Sequence, residues 1–253
     1  MDTPRVGLAV GRGVCVVLPT YNERENLEPV AAAILEALPE AHLLVVDDNS
    51  PDGTGQLADT LAATDSRIQV LHREAKEGLG VAYRQGFRWA LDRPDVRAVV
   101  QMDADFSHDP RDLPRLVAPL MLDCELTLGT RWLRGGGTVG WPWRRRLISR
   151  AGTVFARTVL LLPYRDLTGG FKAWRRELLE AIRLREANAS GYGFQIEMTW
   201  WAHRRGARIQ QVPIIFRERV AGRSKMSGGI VREALLLVIK LRWRAIAEAL
   251  GPR

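Results

Sequence analysis

Residues 98–108 read Ala98-Val99-Val100-Gln101-Met102-Asp103-Ala104-Asp105-Phe106-Ser107-His108, an apolar run of strand length that stops at two carboxylates in alternate positions. A short, β-branched run of this kind fits a strand buried on both faces, whose polar residues are confined to its ends. The same pattern recurs upstream. Residues 14–18 lead into Pro19-Thr20-Tyr21-Asn22-Glu23, and residues 42–46 into Asp47-Asp48-Asn49-Ser50-Pro51-Asp52-Gly53-Thr54. Residues 27–38, 54–63, 81–91 and 113–120 carry apolar side chains at helical spacing, while 68–71 and 126–129 read as further strands. Strands alternating with helices of about ten residues predict an α/β fold, a mostly parallel sheet with flanking helices. Ligands of such sheets collect outside the carboxyl ends of the strands, so the three acidic loops are expected on one edge.

Beyond residue 130 the alternation lapses. Gly135-Gly136-Gly137 leads into an Arg- and Trp-rich stretch, and residues 147–162 place Leu147, Ile148, Ala151, Val154, Phe155 and Val159 on one side of an amphipathic helix with an arginine face. Residues 173–182 and 194–205 read as helices, 209–216 as a strand, and 231–249 as a basic, partly amphipathic C-terminal helix. Both amphipathic helices suit a membrane interface, and equally suit packing on the sheet.

The chain has 253 residues, 46% hydrophobic and 26% charged, enough to build a core and far from the composition of a disordered chain. One large α/β domain fits this length. Cys15 and Cys124 have no CxxC or Cys/His spacing around them, which argues against a zinc ribbon or disulfide framework and for a reducing compartment. The short apolar stretch at residues 6–10 is broken by Gly7 and lacks the flanks of a secretion signal. Residues 230–250 are interrupted by Arg232, Glu233, Lys240, Arg242, Arg244 and Glu248, too many charges for a membrane span. A soluble or peripheral protein is expected.

The net charge of +8 is concentrated. Residues 126–165 hold no Asp or Glu but eight arginines: Arg131, Arg134, Arg144, Arg145, Arg146, Arg150, Arg157 and Arg165. Such a block is either a solvated face or a site for something anionic, whether nucleic acid, phosphate or a membrane surface. The exclusive use of Arg favours planar contact with phosphate. Trp132, Trp141 and Trp143, interleaved with it, suit a polar/apolar interface or stacking on bases.

Asp103 and Asp105 are spaced to converge on one hard cation whose shell diphosphate oxygens complete, although Asp is also common at strand-end turns. Residues 50–54 read as a turn and helix cap. That leaves Asp47 and Asp48, whose carboxylates can accept from a base N–H and a ribose hydroxyl. Glu23 fits either a similar role or a helix-start acid. GxxxxGK[ST], HExxH and GxSxG are absent, and Gly11-Arg12-Gly13 precedes the first strand, so neither a P-loop nor a dinucleotide fingerprint applies.

Pro19-Thr20-Tyr21-Asn22-Glu23-Arg24-Glu25-Asn26, Asp47 to Thr54, Asp103 to His108 and Gly129-Thr130-Arg131-Trp132 resemble family 2 glycosyltransferases with the GT-A fold, and among them the polyprenyl-phosphate (dolichyl-phosphate) mannose synthases. Arg145-Arg146-Leu147-Ile148-Ser149-Arg150, Asp166-Leu167-Thr168-Gly169-Gly170-Phe171, Gly191 to Met198 and Gly222-Arg223-Ser224-Lys225 follow in the same order. The resemblance implies a GT-A (Rossmann-like) catalytic domain over residues 1–229, with 130–165 as the acceptor and membrane-interface segment and 230–253 as the C-terminal amphipathic helix. It implies that Pro19, Tyr21, Glu23, Val46 and Asp48 hold guanosine, that Asp103, Ala104 and Asp105 hold the diphosphate with Mg²⁺ or Mn²⁺, and that Arg219 and Lys225 close over the donor phosphates. Arg131, Arg145 and Ser149 would grip the acceptor phosphate, Arg131 also touching the donor, so Asp105, Arg131 and Arg145 are the expected catalytic groups. Some relatives carry Gln, a candidate third metal ligand, where this chain has Ser107.

The implied reaction is inverting transfer of mannose from GDP-mannose to a polyprenyl phosphate. The implied setting is the cytoplasmic face of a membrane, with or without a separate integral-membrane subunit and without nucleic acid. A UDP-glucose-dependent polyprenyl-phosphate glucosyltransferase shares most of these motifs. A basic nucleic-acid-binding protein would explain the Arg/Trp segment but not the acidic loops, and an aspartate phosphatase would place its DxD after the first strand.

Overall fold

Alternation along the first strand divides the core into two layers. In β1 (Val14–Thr20) the side chains of Val14, Val16 and Leu18 join one apolar cluster, and Cys15 and Val17 the other. The first layer is completed by Leu27, Val30 and Ile34 of α1 (Arg24–Ala37), the second by Ala82, Tyr83 and Phe87 of α3 (Leu79–Leu91). Two helical layers burying both faces of a strand is what makes it read as a continuous apolar run. The computed structural model describes residues 10–182, 189, 191–218 and 228–250.

β2 (His42–Asp47), α2 (Thr54–Thr64), β3 (Ile68–His72) and β4 (Ala98–Gln101) continue the expected alternation. β1 pairs in parallel with β2 and β4, and β2 with β3. A one-turn helix, α4 (Leu113–Val117), precedes β5 (Leu126–Thr130). The sheet has seven strands in the order β3-β2-β1-β4-β7-β5-β8.

The second half corrects two expectations. Residues 173–182 do not form one helix: β7 (Lys172–Arg175) lies antiparallel between β4 and β5, and only α6 (Arg176–Ala181) is helical. The physical reason is non-local. Trp174 sits opposite Val99 and Leu126 and donates its indole N–H to Gln101 Oε1 at 2.7 Å, contacts that outweigh the helical periodicity of so short a stretch. The strand expected at 209–216 is divided at Ile214. β8 (Ile209–Pro213) joins β5 in the main sheet, whereas β9 (Ile215–Arg217) pairs with β6 (Gly137–Val139) in a separate two-stranded ribbon. Ile214 bridges the two, its N–H donating to Thr130 and its C=O accepting from Gly137.

α5 (Trp143–Leu160), α7 (Tyr192–Arg204) and α8 (Gly228–Leu250) form the remaining layer, α8 packing on both of the others. Val238 and Leu241 of α8 are buried with Met198 and Trp201, and α5 buries Thr153, Ala156 and Leu160. Both helices also leave large apolar side chains exposed among their basic residues: Trp143, Leu147, Ile148 and Val154 on α5, Leu236, Ile239 and Trp243 on α8. Among the described residues no helix is long and apolar enough to cross a membrane.

Candidate functional site

The loops after β1, β2 and β4 lie together at the carboxyl edge of the sheet, and each contains a non-glycine residue in the left-handed region: Asn22 (φ 57°), Asn49 (φ 54°) and Phe106 (φ 57°). Asn tolerates that conformation, but a bulky side chain does so only where the surroundings impose it, so Phe106 marks a constrained turn between Asp105 and Ser107.

The first two loops are bolted to each other. Asn22 and Glu23 donate their backbone N–H groups to Ser50 Oγ (3.1 Å) and Thr54 Oγ1 (3.0 Å). The adjacent acids of the second loop have different work. Asp47 accepts from Thr20 Oγ1 (3.0 Å), Ser50 Oγ (2.6 Å) and Ser50 N–H (3.0 Å), and so shapes the turn. Asp48 is buried and ion-paired with Arg73, whose guanidinium also reaches Gln85 (3.0 Å) and Glu77 (2.6 Å). Burial pushes the Asp48 carboxyl above its ordinary value, against the opposing pull of Arg73. Arg73 was invisible to the motif reading; its one signal is its place directly after β3, on the ligand edge. The Lys76 ammonium stands 3.8 Å over the Tyr21 ring, a second partner that the reading missed. Pro19 and Val46 are ladder partners, and the Val46 side chain is wholly within the core.

In the third loop Asp105 is buried and accepts from the Ser107 N–H at 3.1 Å, while half-buried Asp103 has Oδ1 3.3 Å from the Tyr83 hydroxyl. Ala104, between them, turns into the core. The Asp103 N–H donates to His108 Nδ1 at 3.2 Å, which leaves the ring proton on Nε2, and burial lowers the His108 pKa, so the ring is neutral. It stacks on Phe171 with centroids 4.9 Å apart. Ser107 Oγ is buried with no hydrogen-bond partner among the described residues. Among these residues no three His, Cys, Asp or Glu side chains cluster as a metal cage. Two carboxylates and an unpartnered hydroxyl on one loop suit a hard cation that takes its other ligands from substrate and water.

One groove is lined jointly by Asp103, Arg131, Arg145 and Ser149, and by the apolar side chains of Ile148, Phe155, Leu235 and Val238. Of the two expected metal carboxylates, Asp103 is thus brought to one cavity with the expected acceptor residues, whereas Asp105 does not line it. Arg131 is buried and forked onto Asp166, Nε to Oδ2 at 2.7 Å and Nη2 to Oδ1 at 2.8 Å, with Thr168 Oγ1 at 2.8 Å from Nη2. Burial alone would raise the Asp166 carboxyl; the Arg131 guanidinium outweighs it and holds the group below its ordinary value. Arg145 lies 4.1 Å over the Trp141 ring and donates from Nη1 to both carboxylate oxygens of Glu218, at 2.6 and 2.8 Å. Asp166 heads one of the motifs quoted from the sequence but had no role there, and Glu218 was not singled out, since neither carries a chemistry of its own apart from its arginine. Arg219 and Lys225 lie outside the described residues.

Residues 15–183 match the model of the family described as Glycosyl transferase family 2. The chain is 47% identical over 242 residues to an undecaprenyl-phosphate mannosyltransferase of Micrococcus luteus, covering 94% of this chain and 99% of that one. It is also 47% identical over 224 residues to a polyprenol monophosphomannose synthase of Mycolicibacterium smegmatis, covering 88% and 84%. Among solved structures, glucosyl-3-phosphoglycerate synthase from Mycobacterium tuberculosis superposes with a TM-score of 0.69 at 24% identity, covering 93% of this chain and 81% of that one, a likeness of fold. With its mostly parallel sheet, its acidic loops on one edge and this match over more than half its length, the chain belongs to glycosyl transferase family 2.

Proposed function

We propose that the chain is a metal-dependent, inverting mannosyltransferase that moves mannose from GDP-mannose to a polyprenyl monophosphate, giving polyprenyl phosphate β-mannose and GDP. The observation that carries this reading is the groove itself, in which a carboxylate of the Asp103/Asp105 loop shares one cavity with two arginines, a serine and an apolar wall. A lipid phosphate needs that combination. Relatives at 47% identity are named for mannose transfer to undecaprenyl phosphate and for polyprenol monophosphomannose synthesis.

The acceptor phosphate has a second pKa near 6, so it is largely dianionic at neutral pH and attacks the anomeric carbon without a general base. The neutral, buried His108 is accordingly not needed as one. Arg131, Arg145 and Ser149 hold the attacking phosphate and offset its repulsion from the donor. Pro19, Tyr21, Glu23, Val46 and Asp48 form the guanosine side, Val46 through its main chain, and Arg219 and Lys225 close over the donor phosphates. Asp103 and Asp105 hold Mg²⁺ or Mn²⁺, which when bound neutralises the leaving diphosphate. Crystals of the glucosyl-3-phosphoglycerate synthase contain Mn²⁺ or Mg²⁺ with UDP, in line with divalent-metal use on this fold.

Trp143, Leu147 and Ile148 of α5 and Leu236, Ile239 and Trp243 of α8, exposed and interleaved with basic residues, face the cytoplasmic surface of the membrane that supplies the lipid. The test is transfer of labelled sugar from GDP-mannose and, separately, UDP-glucose to a short polyprenyl phosphate in detergent, with Mn²⁺ or EDTA. EDTA-sensitive labelling from GDP-mannose alone is expected. Labelling from UDP-glucose refutes the donor, and none from either donor, even with membranes added to supply a missing subunit, refutes the acceptor.

A further inference from the structure

A chain of amides fixes the orientation of one buried side chain beside the metal loop. The indole N–H of Trp174 can only donate, and it donates to Gln101 Oε1 at 2.7 Å. The Gln101 amide nitrogen is thereby turned toward Gln195, whose Oε1 it meets at 3.4 Å. The Gln195 amide is therefore assigned by its neighbours: oxygen toward Gln101, nitrogen away from it. Its backbone is held as firmly, since the carbonyl accepts from Lys172 Nζ (2.7 Å) and Thr199 Oγ1 (2.8 Å). Gln195 is only 1% exposed, yet Nε2 has no hydrogen-bond partner among the described residues. An orphaned buried donor is costly, so a site this rigid is built to be completed by something else.

Gly170 shows where. A Cβ added to it would stand 3.5 Å from Gln195 Nε2, 3.7 Å from Asp103 Oδ1 and 3.7 Å from His108 Cε1. Gly170 is not among the positive-φ glycines, so what its missing side chain provides is room. The space over its Cα lies between an amide donor and a carboxylate acceptor, and Gly169, Gly170 and Asp103 all line the groove. A group that accepts from an amide and donates to a carboxylate at once is a hydroxyl, of a ligand or of water; an ionised phosphate oxygen only accepts.

We propose that Gln195 Nε2, the Asp103 carboxylate and the bare Cα of Gly170 form the subsite for a hydroxyl of the donor hexose, with Gln195 a specificity-determining residue. The assignment rests on the sugar-nucleotide reading above and adds to it the residues that recognise the sugar rather than the nucleotide.

The test compares affinities for GDP-mannose and GDP by calorimetry, with Mn²⁺, in the wild type, Gly170→Ala and Gln195→Leu. The alanine methyl meets its neighbours at ordinary van der Waals distances, so Gly170→Ala keeps the fold testable if Gln195→Leu does not fold. Both variants should lose about tenfold or more in GDP-mannose affinity, the scale of one buried hydrogen bond, with GDP held within about twofold. Against GDP-mannose analogues lacking one hydroxyl at a time, the wild type should lose affinity at one position and Gln195→Leu should lose nothing further there. Equal loss of GDP and GDP-mannose would overturn the subsite in favour of a diphosphate or structural role, and unchanged GDP-mannose affinity would overturn it in favour of a buried water. A wild type that binds GDP but no GDP-mannose refutes the donor reading itself.

Discussion

Replacing Asp166 by Asn tests whether Arg131 is a fixed wall of the groove. The carboxylate is fully buried and Arg131 is 5% exposed; between them run two side-chain bonds at 2.7 and 2.8 Å, with Arg131 N–H donating to Oδ2 at 3.1 Å and Gly169 N–H to Oδ1 at 3.2 Å. Asn preserves the shape but offers one acceptor where there were two, and its NH₂ would face donors. Removing one partner of a buried pair leaves an uncompensated charge and costs about 3–5 kcal/mol. For a chain of this size that corresponds to a Tm lower by about 6–20 °C. Thermal and urea unfolding of the wild type, Asp166→Asn, Arg131→Met and the double variant measure it. The double variant should be much less destabilised than the sum of the singles, because the second change removes the charge that the first left stranded. A loss below about 1 kcal/mol for Asp166→Asn, the range of an exposed pair, would refute the claim that this pair is dry and fixed.

Arg145→Ala should raise the KM for polyprenyl phosphate about 10–100-fold, the scale of a charge-assisted hydrogen bond, with the KM for GDP-mannose little changed; a donor-side defect in steady-state kinetics would contradict the acceptor role. Lys172 is fully buried, and desolvation brings its pKa down to about 7, far below the unfolded value of about 10.4. Between those values the unfolded chain binds more protons, so this group makes stability rise with pH from about 7 to about 10; the contribution is fully present only above about 10 and is lost as pH falls from there to about 7. Lys172→Met should flatten the rise in urea midpoint between pH 7 and pH 9.5 relative to the wild type, and an unchanged slope would count against the assignment. Replacing the exposed Trp143 and Trp243 together with Ala should reduce sedimentation with anionic vesicles severalfold and leave transfer to a detergent-dispersed acceptor intact; equal vesicle binding would remove both helices from the membrane interface.

The half of the molecule that was legible from the sequence owes this to local signals. β1, β2 and β4 are apolar runs bounded by turn residues, each covered by helices whose spacing is evident, and their ends carry the acidic loops that topology then collects. β7 was not legible, because its four residues carry no period of their own and become a strand through pairing with β4 and β5, far away in the chain. The β6 and β9 ribbon has three residues on each side and is specified by Ile214 sharing its backbone bonds between two sheets. Within the site, Asp103, Asp105 and the arginines announce themselves by residue type and spacing. That Asp47 shapes the turn with Thr20 and Ser50 while Asp48 pairs with Arg73 is decided only when β1, β2 and β3 lie side by side.

The acid-free stretch from residue 126 to 165 looks like a uniform positive field in one dimension, and in three it is not. Its two groove arginines are matched by acids contributed from outside the stretch, Asp166 just beyond its end and Glu218 from the far side of the ribbon. The two pairs differ in burial. Arg131 and Asp166 are dry, so an incoming phosphate cannot exchange with Asp166 without stranding a buried carboxylate. Arg145 and Glu218 are 19% and 41% exposed, a pair of small net stability from which the guanidinium can be drawn at little cost. With both substrates of the proposed reaction anionic, this division would give the groove one charge that stays in place and one that changes partner, which supports Arg145 rather than Arg131 as the group proposed to follow the acceptor phosphate into position.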